Sequence, residues 1–217
     1  MNLDGLLNKY FGQCSSLPII EMFDSESIYN VYKDIVDILK KQPDIELGIL
    51  QTLSYCFYEI LDNVMIHSMK SCGTVVLKYT PEAAKIQIMV VDDGIGIHRS
   101  LAENEKYRDI SEADALAQCM HDRVTDGKGM GFGLYSTACL MRQAGIMLRL
   151  HSGKHALVSD GVNEWVEEAD YWQGTVIYFE LYSDKDINPN GVLENRTDVV
   201  SDFNNEFLDT EDIEELW

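Results

Sequence analysis

Glu59, Asn63 and His67 stand four residues apart in this 217-residue chain. They offer a carboxylate, an amide and an imidazole, three groups that exchange hydrogen bonds or protons. Downstream, Asp92-Asp93-Gly94-Ile95-Gly96 joins an acceptor to alternating glycines. Such a turn lets backbone approach a ligand closely, and Asp92 can accept a hydrogen bond from an exocyclic amine. Four more glycines alternate through Gly127-Lys128-Gly129-Met130-Gly131-Phe132-Gly133-Leu134. A glycine-rich loop feeding a helix presents free N–H groups and the positive end of the helix dipole, an anion site that usually holds phosphate. Lys128 could add a positive charge. The order is not that of a P-loop, because no Ser or Thr follows the lysine. It is not a Rossmann turn either, because no strand of a βαβ unit precedes it. The first two segments also have plainer readings: a solvated helix face, and a tight turn chosen for its backbone angles. In this order the three read as one nucleotide site.

These residues need particular elements to hold them. From Ile49 to His67 the apolar residues Leu50, Leu53, Phe57, Ile60, Leu61 and Val64 recur at three- and four-residue steps, the pattern of an amphipathic helix. Four residues return to nearly the same face, with about 40° of drift. Glu59, Asn63 and His67 therefore form a row beside the apolar stripe. Lys85 to Val91 alternates, with Ile86, Ile88 and Val90 on one face, and predicts a strand that delivers Asp92 at its end. Behind the second glycine run, Leu134 to Ala144 predicts a helix ended by Gly145.

Glu59-x-x-x-Asn63, Asp92-x-Gly94-x-Gly96, Gly129-x-Gly131-x-Gly133-Leu134 and the later Gly174-Thr175 resemble, in order, four motifs of the Bergerat-fold (GHKL) ATPases. That superfamily includes type II topoisomerase ATPase subunits, heat-shock chaperones, histidine kinases and mismatch-repair ATPases. The match spans roughly residues 45–183 and is specific because four elements agree. The resemblance implies ATP and Mg²⁺ as ligands. It implies that Asn63 helps hold Mg²⁺, that Asp92 recognises the adenine amine, and that Gly94 and Gly96 let the base seat against the backbone. Gly127, Lys128, Gly129, Gly131, Gly133 and Leu134 would wrap the triphosphate, and Thr175 would close the adenine end. Glu59 sits where hydrolytic and Ser/Thr kinase members keep a general base, and a carboxylate suits that task. His67 would orient a phosphate-side contact, or else cap or pack the helix. Residues 98–126 fall where the family keeps a mobile lid. There Ser111 is the expected N-cap of a short helix reaching Met120, and Arg123 or Lys128 is expected to touch the γ-phosphate on closure.

Asn63-Val64-Met65-Ile66-His67-Ser68 most resembles the bacterial anti-sigma-factor serine kinases and related stand-alone ATP-binding proteins. The first 45 or so residues contain no histidine, so a complete histidine kinase is not expected. A stretch around His155 to Trp172 and an acidic tail depart from the stand-alone pattern. Residues 1–45 are expected to be helical and packed on the core, with a helix from Ser25 to Lys41. Residues 46–183 would be the ATPase domain and 184–217 the tail. Strands are expected at Thr74–Thr80, Lys85–Val91, Met147–His151, near Ala156–Ser159 and at Thr175–Leu181. Helices on one face of a mixed sheet would make a two-layer α/β sandwich.

Composition bounds the partners. A net charge of −20 argues against nucleic-acid phosphate. Residues 184–217 hold eleven acidic and two basic residues, a net of −9, with Phe203, Phe207, Leu208, Ile213, Leu216 and Trp217 among the carboxylates. Such a segment either awaits a partner or packs back as an acidic helix. No apolar run is long enough to span a bilayer, and Met1-Asn2-Leu3-Asp4-Gly5 has no basic start before an apolar core, so no signal peptide is expected. Cys14, Cys56, Cys72, Cys119 and Cys139 contain no C-x-x-C and read as cytosolic thiols. A cytoplasmic regulator is expected, as a monomer or a homodimer, that binds ATP or ADP and phosphorylates a protein such as an anti-anti-sigma-like partner or hydrolyses ATP. The alternatives are an ATP-gated protein-binding module and a subunit whose chemistry lies in a partner.

Overall fold

The computed structural model describes residues 2–12, 17–128 and 133–184. In chain order these form α1 (Leu3–Phe11), β1 (Ile19–Asp24), α2 (Ile28–Lys40), α3 (Leu47–His67), β2 (Cys72–Thr80), β3 (Lys85–Val91), α4 (Gly96–Leu101), α5 (Glu112–Gln118), α6 (Gly133–Ala144), β4 (Met147–Ser159) and β5 (Glu164–Tyr182). The expected tail, apart from Asp184, lies outside the described residues, as do Cys14, Gly129 and Gly131.

The five strands form one sheet in the order β1-β2-β3-β5-β4. Every neighbouring pair is antiparallel, so the expected mixed sheet is corrected. The helical connection after β3 delivers β4 in the same direction as β3, which alone would suggest a parallel pair. β4 instead lands one place further out, and β5 doubles back into the gap between them.

The apolar stripe of α3 is buried as its spacing requires: Leu50, Leu53, Phe57, Ile60, Leu61 and Val64 all join the main core. They meet Ile86, Ile88 and Val90 of β3, with Val75 and Leu77 of β2. The intervening Met89, Val91 and Val76 point to the opposite face, where they pack with Val176, Tyr178 and Leu6 and Phe11 of α1. Side chains of successive strand residues alternate sides, so this central sheet has two apolar faces and needs cover on both. The expectation of helices on one face is therefore corrected: α1 covers the second face.

Residues 1–45 are not wholly helical. β1 lies between α1 and α2 and pairs Ile19 through Asp24 with Leu77 through Cys72 of β2. Of its six residues only Phe23 is buried, so it carries no clean alternation. The stretch around His155 to Trp172 is part of a long hairpin. β4 runs unbroken through both segments expected as separate strands, and turns at Asp160, whose carboxylate accepts from the Val162 and Asn163 amides at 2.9 and 2.7 Å.

Residues 98–126 are docked rather than standing clear of the domain. Tyr107, Ala115, Leu116, Cys119 and Met120 all sit in the main core. Ser111 caps α5 as expected, its side chain accepting from the Asp114 amide. Glu112 fastens α5 to the hairpin through the Lys154 amide at 3.1 Å and His155 Nδ1 at 3.2 Å.

Candidate functional site

The last two turns of α3 carry the polar row. Glu59, Asn63 and His67 are all half-buried, at the rim of the stripe that packs inward. Asn63 Nδ2 donates to the Glu59 carbonyl oxygen at 2.6 Å, which ties the amide to the helix it stands on. His67 Nδ1 lies 2.7 Å from Asp126 Oδ2.

Asp92 is 5 % exposed at the end of β3. Its amide donates to the Thr175 carbonyl at 2.9 Å, and its Oδ1 accepts from the Gly94 amide at 2.8 Å. Burial pushes its carboxyl above the usual range, against the pull of the Gly94 and Thr175 hydrogen bonds. A buried acceptor held by the sheet can read a single donor on a ligand.

The glycines of this loop have packing reasons of their own. A side chain at Gly94 would collide with the Ser68 carbonyl, and the Ile95 amide donates to that same oxygen at 2.9 Å. Gly96 has φ +76°, and a Cβ there would sit 2.6 Å from Ser152 Oγ and 2.8 Å from the Gln173 carbonyl oxygen. At Gly174 a side chain would strike the Asp92 backbone. The loop is thus pressed between the end of α3 and the middle of β5, just before β5 begins to pair with β3.

The second glycine segment is described at its two ends. Gly127 has φ +98° and open space where a Cβ would be, so conformation alone asks for glycine there. Gly133 begins α6. Lys128 Nζ pairs with Glu103 at 2.9 Å and lies 3.6 Å from Asp126. Leu134 lines a small apolar gap with Ile60, Met120, Thr137, Met141 and Ile177, which gives it a packing role. Arg123 is exposed with φ +59°.

Two groups of expected site residues are therefore assembled around the end of α3: Asp92, Gly94, Gly96 and Thr175 on the loop packed against Ser68, and His67 and Lys128 through Asp126, with Glu59 and Asn63 on the helix that leads to His67. Sequence reasoning missed Ser68, Ser100, Ser152, Trp172, Gln173 and Asp126. Asp126 had a signal, since it directly precedes the glycine run. Ser68 closes the Asn63–Ser68 motif, and Trp172 and Gln173 directly precede Gly174-Thr175, so they had the same signal; Ser100 and Ser152 act by position in the fold and had none.

This architecture and site define a nucleotide-binding α/β domain. The family model described as "Histidine kinase-, DNA gyrase B-, and HSP90-like ATPase" matches residues 48–184, and the chain belongs to that family. It is an ATP-binding protein of the GHKL kind. No curated protein matches the chain. Among the described residues no helix is long and apolar enough to cross a membrane.

Proposed function

We propose that this chain binds Mg-ATP and transfers the γ-phosphoryl group to a hydroxyl, either a serine or threonine of a regulatory protein or water. One observation carries this reading. Glu59 and Asn63 project from α3 one turn apart, with the Asn63 amide fixed through Nδ2 to the Glu59 carbonyl at 2.6 Å. That contact commits the nitrogen and leaves the amide oxygen for a hard cation, which suits Mg²⁺. Bound there, the ion would offset the charge of the phosphates. Glu59 accepts the proton of the attacking hydroxyl as its oxygen bonds to phosphorus and the bond to the ADP oxygen breaks. Asp92 accepts from the adenine amine, and Thr175 lies beside it at the same end.

A second reading draws on Lys128. Its ammonium is held by Glu103 and Asp126 in this structure. A phosphate that recruited Lys128 would release Glu103, so occupancy would be felt in the segment after α4. In that reading ATP gates a protein-docking surface and turnover is incidental.

ATP binding and phosphate release, measured with Mg²⁺ for wild type, Glu59→Ala and Asp92→Ala, test both. Phosphoryl transfer requires that Asp92→Ala lose binding and that Glu59→Ala bind but stop turning over. A loss of about 10²–10⁴ in rate is the scale for a removed general base. Binding without turnover, alone or with candidate acceptor proteins, would favour the gate. Absence of binding would defeat both.

A further inference from the structure

Trp172 and Gln173 belong to the long hairpin, directly before the Gly174-Thr175 motif and some eighty residues from Asp92, yet both reach onto the loop that carries it. β4 and β5 slip register here. Ser152 faces Thr175 and the next residue, Gly153, faces Trp172, so Gln173 and Gly174 have no partner across the ladder. Such a bulge kinks a strand and re-aims its side chains. The result is a set of hydrogen bonds onto the loop that carries Asp92. Trp172 Nε1 donates to the Asp92 carbonyl at 2.8 Å. Gln173 Nε2 donates to the Asp93 carbonyl at 3.1 Å and approaches the Gly94 carbonyl at 3.4 Å. Ser152 Oγ donates to the Gly174 carbonyl at 2.8 Å and accepts from the Ile97 amide at 3.0 Å, which fastens the far end of the loop to the same bulge.

We propose that Trp172 and Gln173 are positioning residues for base recognition: they hold the Asp92-Asp93-Gly94 backbone so that the Asp92 carboxylate keeps one aim. This rests on the ATP-binding reading above. Three consecutive carbonyls are held by side chains from one bulge, whereas a tight turn ordinarily leaves them to water. The Trp172 ring also packs against the α1 face of the sheet, so the indole is fixed before it donates. The consequence is selectivity. Adenine offers an amino donor where guanine offers an oxygen, and a carboxylate that cannot retreat meets guanine acceptor to acceptor. A loosened loop lets the carboxylate turn away, so GTP loses less than ATP.

The test compares Trp172→Phe, Gln173→Ala and the double variant with wild type. Phe keeps a ring against α1 and removes only the N–H. ATP and GTP affinities are read by calorimetric titration, and the melting temperature is read alongside. The expected result is about tenfold weaker ATP binding in the double variant, on the scale of one or two lost hydrogen bonds. The preference for ATP over GTP narrows, and the melting temperature stays near that of wild type. Unchanged ATP affinity and unchanged preference overturn the proposal. So does an equal loss for both nucleotides that tracks a lower melting temperature, the mark of a purely structural role. If wild type binds neither nucleotide, the ATP-binding reading itself falls and this inference falls with it. If wild type binds ATP and the variants match it, only this inference falls.

Discussion

His67 and Asp126 meet at 2.7 Å, and their contact joins the last turn of α3 to the threshold of the second glycine segment. The Asp126 side chain is only 1 % exposed. Its Oδ2 also accepts from Ser100 Oγ at 2.9 Å, and its Oδ1 from the Lys128 amide at 3.0 Å. One carboxylate thus fastens α3, α4 and the glycine segment together.

Asp126→Ala should therefore destabilise the fold by about 1–3 kcal/mol, the scale for donors left without their acceptor. Burial pushes the Asp126 carboxyl up, but the Lys128 amide, His67 and Ser100 together hold it below the usual range. Its contribution is fully present above the unfolded carboxyl range and is lost as pH falls through the lower folded value. Thermal melts from neutral pH down to about pH 3 check this. Wild type should lose more stability across that acid limb than Asp126→Ala.

Asp92 should behave in the opposite sense. Burial raises its carboxyl in the folded state. Between the ordinary carboxyl range and that raised value the native state holds a proton that the unfolded state has released. Stability therefore falls as pH rises through that window. Asp92→Asn keeps an oxygen for the Gly94 amide and has no charge to bury. It should melt at or above wild type near neutral pH and converge with it in acid, while ATP affinity falls about tenfold or more. A variant that melted lower at pH 7 would refute the stated cost of the buried charge.

Gly174→Ala probes the crowding behind the Asp92 loop. The added methyl would collide with the Asp92 backbone, which cannot rotate aside as a side chain can. Overpacking of this kind costs about 1–3 kcal/mol. Both the melting temperature and ATP affinity should drop, because the displaced atoms belong to the loop itself. Gly127→Ala is the contrast: a Cβ there has open space, so its effect should come from φ +98° alone.

His151 lies fully buried on the α1 face of the sheet, opposite Val176. Burial depresses its imidazole, the Asp170 and Gly153 backbones resist, and nearby Lys9 and Arg149 add to the depression. The native state keeps it neutral while the unfolded chain takes up a proton. Stability is present above the unfolded histidine range and is lost as pH falls from there toward the lower folded value. His151→Leu should flatten that part of the stability profile between about pH 7 and 5. An identical slope in the variant would show that His151 does not carry the effect.

Where period and local chemistry suffice, the chain spoke for itself. The α3 stripe, β3, the Ser111 cap and the end of α6 at Gly145 depend on residues within a few positions of one another, so spacing alone specified them. The order of Glu59, Asn63, Asp92 and the glycines was enough to point to the family. β1 was illegible because one buried residue in six leaves no period, and its pairing is with β2 some fifty residues away. The sheet's antiparallel order was illegible because β5 enters between β3 and β4 only when the hairpin folds back. The linkage of His67 to Asp126, the α1 cover and the reach of Trp172 and Gln173 onto the Asp92 loop were decided by tertiary structure alone. Each depends on which distant backbone ends up behind which loop, and no local spacing encodes that distance.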